Sequence, residues 1–151
     1  MTAFKSVEEI LQFAIGKEQE AVEFYTALAS QVKNEVMART LMDFAREERK
    51  HKEKLQAVKT GTIKLQPQAK IQDLKVADYL VDVDATPDMD YQKALILAMK
   101  KEKAAFKLYS DLAAQAADET VQALFLGLAQ EEARHKLRFE IEYDERVLTS
   151  E

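Results

Sequence analysis

The sequence repeats itself. An offset of 84 residues carries Glu18 onto Glu102, Glu48 onto Glu132 and His51 onto His135, and brings Lys17, Ala21, Tyr25, Leu28 and Ala29 onto Lys101, Ala105, Tyr109, Leu112 and Ala113. A repeat this long points to a duplicated structural unit, and the unit reads as two helices. Apolar residues recur at helical spacing from Val7 to Val32, and Ser6 with Glu9 three positions on forms the reciprocal cap of a helix start. After "KNE" a second periodic segment runs from Val36 to Val58 and stops at "TGT", where Gly61 suits the position just past a helix end. The copy gives a third helix over Asp90 to Ala116 and a fourth over Glu119 to Leu148, with a turn near Asp118.

Two amphipathic hairpins, each unable to cover its own apolar stripe, are expected to combine into an all-α four-helix bundle. Hairpin 1 spans residues 5–60, a crossover 61–89 and hairpin 2 residues 90–148, within one domain of 151 residues. With Pro67, Pro87 and "DVDATPDMD", the connector sustains no single helical period, although "IQDLKVADYL" is expected to form a short helix. The connector must span the length of a helix of about 24 residues, about 36 Å. Only three Gly and two Pro occur in the chain, so local propensity favours helix nearly everywhere.

A net charge of -5 leaves no basic surplus for nucleic acid or an anionic membrane. The absence of cysteine excludes disulfides, thiolate metal sites and iron–sulfur clusters. The start, "MTAFKSVEEILQFAIGKE", lacks a signal-peptide apolar core, and no apolar run is long enough to span a bilayer, so a cytoplasmic protein is expected.

The inward seam of each helix holds one kind of interruption. Helix one reads Val7, Leu11, Ala14, Glu18, Ala21, Tyr25, Leu28, Val32; helix three reads Tyr91, Leu95, Ala98, Glu102, Ala105, Tyr109, Leu112, Ala116. Helix two reads Met37, Leu41, Phe44, Glu48, His51, Leu55, Val58. Helix four reads Val121, Phe125, Leu128, Glu132, His135, Phe139, with Ile141 and Tyr143 flanking the next slot. Glu20, Glu23, Glu47, Glu53, Glu131 and Glu140 fall off these seams and are expected in solvent. Met37, Met42 and Met99 are expected as core filler.

Four carboxylates and two imidazoles therefore converge at one level of the expected core. Unpaired, each ionised group would cost several kcal/mol to desolvate. The lysines and arginines lie mostly off the seams, so buried ion pairs are not the obvious compensation. Two divalent cations are: their charge balances four carboxylates, and oxygen and imidazole nitrogen supply ligands. Residues i and i+3 share a helix face, so Glu48 with His51, and Glu132 with His135, can reach one metal or adjacent metals. One Glu on each of two helices and Glu-x-x-His on each of the others is the ligand pattern of ferritin-like dimetal carboxylate bundles. Tyr25 and Tyr109, two turns from their glutamates, read equally as core aromatics or as donors that orient a ligand carboxylate. A structural hydrogen-bond network or a structural zinc is the competing reading of the cluster.

At "KEQEAVEFY", "EERKH", "KEKAAFKLY" and "EEARH" the sequence resembles the rubrerythrin-like branch of the ferritin-like superfamily, over nearly the whole chain. The resemblance implies two iron ions, with manganese or zinc as alternatives, and reduction of peroxide or O₂ chemistry as the activity. Glu18, Glu48, Glu102 and Glu132 would bridge or terminate the metals. Rubrerythrins proper also carry a rubredoxin domain with cysteine-bound iron; this cysteine-free sequence is expected to use an external electron donor such as a rubredoxin-like protein. They carry a further glutamate ligand one turn after the third-helix glutamate, where this sequence has Ala105. An iron-binding, ferroxidase-like protein and a metal-stabilised helical module are the rival functions. A homodimer, with hairpins exchanged between chains as one form of it, is the expected assembly.

Overall fold

The computed structural model describes residues 6–61, 74–81, 85–86, 89–116 and 118–148. Four α-helices of 25 residues each carry the fold: α1 Val7–Gln31, α2 Glu35–Lys59, α3 Tyr91–Gln115 and α4 Glu119–Tyr143. They divide between two compact units, Phe4–Ile71 with α1 and α2, and Gln72–Glu151 with α3 and α4. Each unit is an antiparallel helical hairpin with a short link.

All four helices begin on a side-chain cap, which explains why their starts were legible. The Ser6 hydroxyl accepts from the Glu9 amide at 3.1 Å, Asn34 from Met37 at 2.9 Å, and Asp90 from Lys93 at 2.8 Å. Asp118 accepts from both Thr120 and Val121, at 2.7 and 3.3 Å. Each cap satisfies amides that have no partner within the helix and contributes about 1 kcal/mol. At the end of α2, Gly61 adopts φ +86°, a left-handed conformation that glycine takes without a Cβ penalty, and its amide donates to the Val58 carbonyl at 3.2 Å.

The seams face inward as expected. In the first hairpin Leu11, Ala14, Tyr25, Leu28, Met37, Leu41, Phe44, Leu55 and Val58 are buried, and Tyr25 meets Phe44 edge-on at 6.2 Å between ring centroids. In the second, Leu95, Ala98, Tyr109, Leu112, Val121, Phe125, Leu128 and Phe139 are buried, and Tyr109 stacks on Phe125 at 6.4 Å. Met37 is core, but Met99 is half-buried and Met42 is exposed. Met42 sits off the α2 seam, so helical position overrides its apolar character.

Two further elements differ from expectation. Of the expected short helix "IQDLKVADYL", a single 3₁₀ turn forms, Val76–Tyr79; residues 71–73 lie outside the described residues, as do Pro67, Pro87 and part of "DVDATPDMD". The buried Tyr79 fastens this turn to α3 by donating its hydroxyl to Asp111 at 2.8 Å. Helix α4 ends at Tyr143 rather than running to Leu148, and a wider π-type turn covers Asp144–Leu148.

That ending surrounds a buried acid which the seam reading passed over. The slot between Ile141 and Tyr143 is Glu142, only 2% exposed. The Tyr91 hydroxyl donates to it at 2.6 Å, and the guanidiniums of Arg138 and Arg146 lie 3.7 and 3.8 Å away. Burial, followed by this bond to a carboxylate, pushes the Tyr91 phenol above its ordinary pKa. Tyr91→Phe should therefore lower stability by about 1–3 kcal/mol, because the carboxylate loses its donor while remaining buried. Denaturant titration checks this, and an unchanged midpoint would show the bond to be dispensable.

Candidate metal centre

Each hairpin builds the same polar cluster. Glu18 and Glu102 are the twelfth residues of α1 and α3; Glu48 and Glu132 are the fourteenth residues of α2 and α4. The seam brings them to mid-helix, and the i, i+3 spacing sets His51 and His135 on the same faces as Glu48 and Glu132. In the first hairpin His51 Nδ1 lies 3.2 Å from Glu18 Oε2 and 3.1 Å from Glu48 Oε1. In the second, His135 Nδ1 lies 3.4 Å from Glu102 Oε2 and 3.6 Å from Glu132 Oε1. All six residues are at most 2% exposed.

Within each hairpin the three donor atoms lie within 4.8 Å of one another. The donor set is hard oxygen with imidazole nitrogen and no sulfur, which suits iron, manganese or zinc. In each cluster one imidazole nitrogen is turned toward two carboxylate oxygens. A proton on that nitrogen and a metal cation compete for the same lone pairs, so the residues fit a cation at the place where a proton can sit.

Burial alone would lower the His51 pKa, but hydrogen bonds to Glu18 and Glu48 and the charges of both outweigh it and raise the pKa from 6.5 to about 11. Without metal, His51 is thus an imidazolium bound by two acids. Its stabilising contribution is complete below about pH 6.5, where the unfolded chain is protonated too, and is lost as pH rises through about 11. The denaturation midpoint of the metal-free protein should fall across this window, and less steeply in His51→Asn; equal slopes would remove His51 from the ledger.

The polar surroundings of the two clusters differ. In the first hairpin Lys52 Nζ donates to Gln19 Oε1 at 2.8 Å, and Gln19 donates on to Glu23 at 2.8 Å, a bridge between α1 and α2 beside Glu18 and His51. In the second, Lys103 and Lys107 stand in place of Gln19 and Glu23, and Lys136 bonds Glu140 at 3.2 Å instead. Nothing in the seam pattern signals this bridge, because Gln19 and Lys52 lie off the seam. Tyr25 and Tyr109 are fully buried. Of the glutamates expected in solvent, Glu20, Glu23, Glu53 and Glu140 are exposed; Glu47 and Glu131, each next to a seam glutamate, are half-buried. Among the described residues no helix is long and apolar enough to cross a membrane.

The family described as Rubrerythrin matches residues 9–143. Among solved structures, a ferritin-like diiron-carboxylate protein of Thermotoga maritima aligns with TM-score 0.78 and 22% identity, covering 97% of this chain and 99% of that one. A hypothetical protein from Pyrococcus furiosus aligns with TM-score 0.74 and 27% identity, covering 93% and 89%. These likenesses show the all-α, ferritin-like four-helix fold. No curated protein matches.

Proposed function

The chain belongs to the rubrerythrin family, and from that premise we propose that Glu18, Glu48 and His51 act together with Glu102, Glu132 and His135 as ligands of a di-iron centre that reduces peroxide or activates O₂. One observation carries the reading: two duplicated hairpins each bury the same two carboxylates and one imidazole, with donor atoms within 4.8 Å. Bound iron would supply redox change and open coordination positions for the O–O bond.

The chain's own residues do the rest. The four carboxylates would balance the charge of two divalent ions, and the Nδ1 atoms of His51 and His135 would hold metal in their unprotonated form. Phe44 and Leu55 flank the first cluster along the α2 seam, Leu128 and Phe139 the second along α4, and all four are buried. They keep bulk water from the acids, which strengthens electrostatic interactions there. Tyr25 and Tyr109 are hydroxyl donors that orient ligand carboxylates. Electrons come from a separate donor protein.

The test is to load the purified protein anaerobically with ferrous iron, quantify bound metal, then add peroxide and O₂ separately. About two metal ions per chain, rapid growth of ferric absorption and turnover with a supplied reductant support the proposal. Stoichiometric oxidation without turnover overturns it in favour of iron handling, and failure to bind metal overturns both.

A further inference from the structure

The two copies differ most on one outer face. Along α3, Lys100, Lys103 and Lys107 follow one another at i, i+3 and i+7 and are all exposed. The same positions of α1 hold Gly16, Gln19 and Glu23, and Ala104 stands where α1 has Glu20. Two acids in the first copy thus give way to three lysines in the second, within a chain of net charge -5. The apolar content of this face changes as well. Phe106 takes the place of Val22; the valine is 6% exposed and the larger phenylalanine 41%. An apolar position that is covered in the first hairpin is therefore left open in the second.

The opening is a groove of about 530 Å³, with Leu80 and Val81 on one side, Ala104 and Phe106 on the other, and the three lysines along its border. Its walls are held in place. The buried Tyr79 donates its hydroxyl to Asp111 at 2.8 Å, and Lys107 Nζ donates to the same carboxylate at 2.9 Å while lying 5.3 Å from the Tyr79 ring centroid. These bonds fix the Val76–Tyr79 turn on α3 and so set Leu80, which is 51% exposed, beside the helix. Lys107 and Asp111 thereby neutralise each other. Among the described residues, Lys100 and Lys103 make no ion pair.

The chemistry of the lining selects the ligand. Three lysines and two aspartates, Asp78 and Asp111, leave one net positive charge around the groove. A single anionic headgroup matches that charge, whereas a polyphosphate would bring several negative charges against the two carboxylates. The aliphatic side chains and the Phe106 ring offer no partner to a polar ligand and gain most from covering by hydrocarbon. The volume falls within the range of small-molecule sites, about 300–1,000 Å³. An anionic bilayer is a poor occupant, because the net charge of -5 opposes its approach. We infer that the groove binds one free aliphatic carboxylate of the fatty-acid type, with the headgroup at Lys100 and Lys103 and the chain laid along Ala104, Phe106, Leu80 and Val81. Glu102, between the two lysines in sequence, is buried while they are exposed, so the groove opens on the side of α3 away from the proposed metal ligand. The site needs no metal to form, and its test is independent of the di-iron reading.

Dodecanoate, kept below its micelle concentration, serves as the probe, and calorimetry on the full chain as purified gives its affinity and stoichiometry. One molecule should bind per chain. Affinity should fall about two- to fourfold for each methylene removed, from dodecanoate through decanoate to octanoate. Dodecanol, which keeps the chain and lacks the charge, should bind about tenfold more weakly. Lys100→Glu with Lys103→Glu should weaken dodecanoate about tenfold or more and leave dodecanol unchanged, and Phe106→Ser should weaken both. All these residues are exposed, and circular dichroism confirms that the variants fold. Lys33→Glu with Arg39→Glu, an equal charge change on exposed residues of the first hairpin, should leave binding intact. The inference is overturned by no binding to the parent, by several equal sites per chain, by equal affinity for dodecyltrimethylammonium, or by undiminished binding in the double α3 variant. Tighter binding of adenosine monophosphate would assign the groove to a nucleotide instead, and capture by anionic vesicles that dodecanoate does not compete away would assign it to a membrane surface; either result overturns it as well.

Discussion

Glu102→Ala should fold normally and lose metal, holding about one ion per chain or fewer where the parent holds about two, with peroxide turnover down about 100-fold or more. The carboxylate lies at mid-helix against His135 at 3.4 Å, so its removal takes one oxygen donor out of the buried cluster it forms with Glu132 and His135. Elemental analysis gives the metal content, and circular dichroism separates loss of metal from loss of fold. Alanine is a good helix residue, so α3 itself should be unaffected. Glu102→Asp keeps the charge one methylene short and should recover part of the metal. Undiminished metal in the alanine variant would mean that the seam glutamates are not ligands.

Glu18→Leu should change stability in opposite directions with and without metal. In the metal-free protein Glu18 and Glu48 both lie on His51, so two carboxylates surround one imidazolium and leave an excess negative charge in the core. Leucine would leave Glu48 and His51 as a balanced pair and extend the apolar seam, raising metal-free stability by about 1–4 kcal/mol. Metal should then raise the melting temperature of the parent and leave that of the variant nearly unchanged. Thermal scans of both proteins, chelated and loaded, decide it. If the chelated variant is the less stable one, Glu18 serves the fold as a hydrogen-bond partner rather than being kept for a ligand.

The periodic core was legible because a helix buries one stripe and charge in that stripe is costly. Glu18, Glu48, His51, Glu102, Glu132 and His135 stood out as interruptions of apolar seams, and each hairpin brings its own three together. Glu142 was missed for a related reason. Following the α4 seam one step past Phe139 reaches it, but the neighbouring Ile141 and Tyr143 drew the reading to either side. Its compensation comes from Tyr91 on another helix and from two arginines, and such pairing across elements leaves no periodic mark. The end of α4 was misplaced because no glycine or proline marks it. Met42 shows the converse error, in which residue type was given more weight than position. The Gln19–Lys52 bridge and the lysine groove lie on outer faces, where the apolar pattern says nothing; the groove emerges when the two copies are compared position by position.

The depth of the six polar residues along their helices has a kinetic consequence. Each is the twelfth residue or later of a 25-residue helix whose first amides are held by a side-chain cap. Fraying exposes a terminal turn and leaves the middle closed, so it opens no route to these carboxylates. An incoming cation must wait for helices to part over several turns, an excursion that draws on much of the free energy of the hairpin. Metal uptake and release should then follow the slowest-exchanging amides of the protein rather than diffusion, and a centre once filled would keep its ions through many encounters with competing chelators.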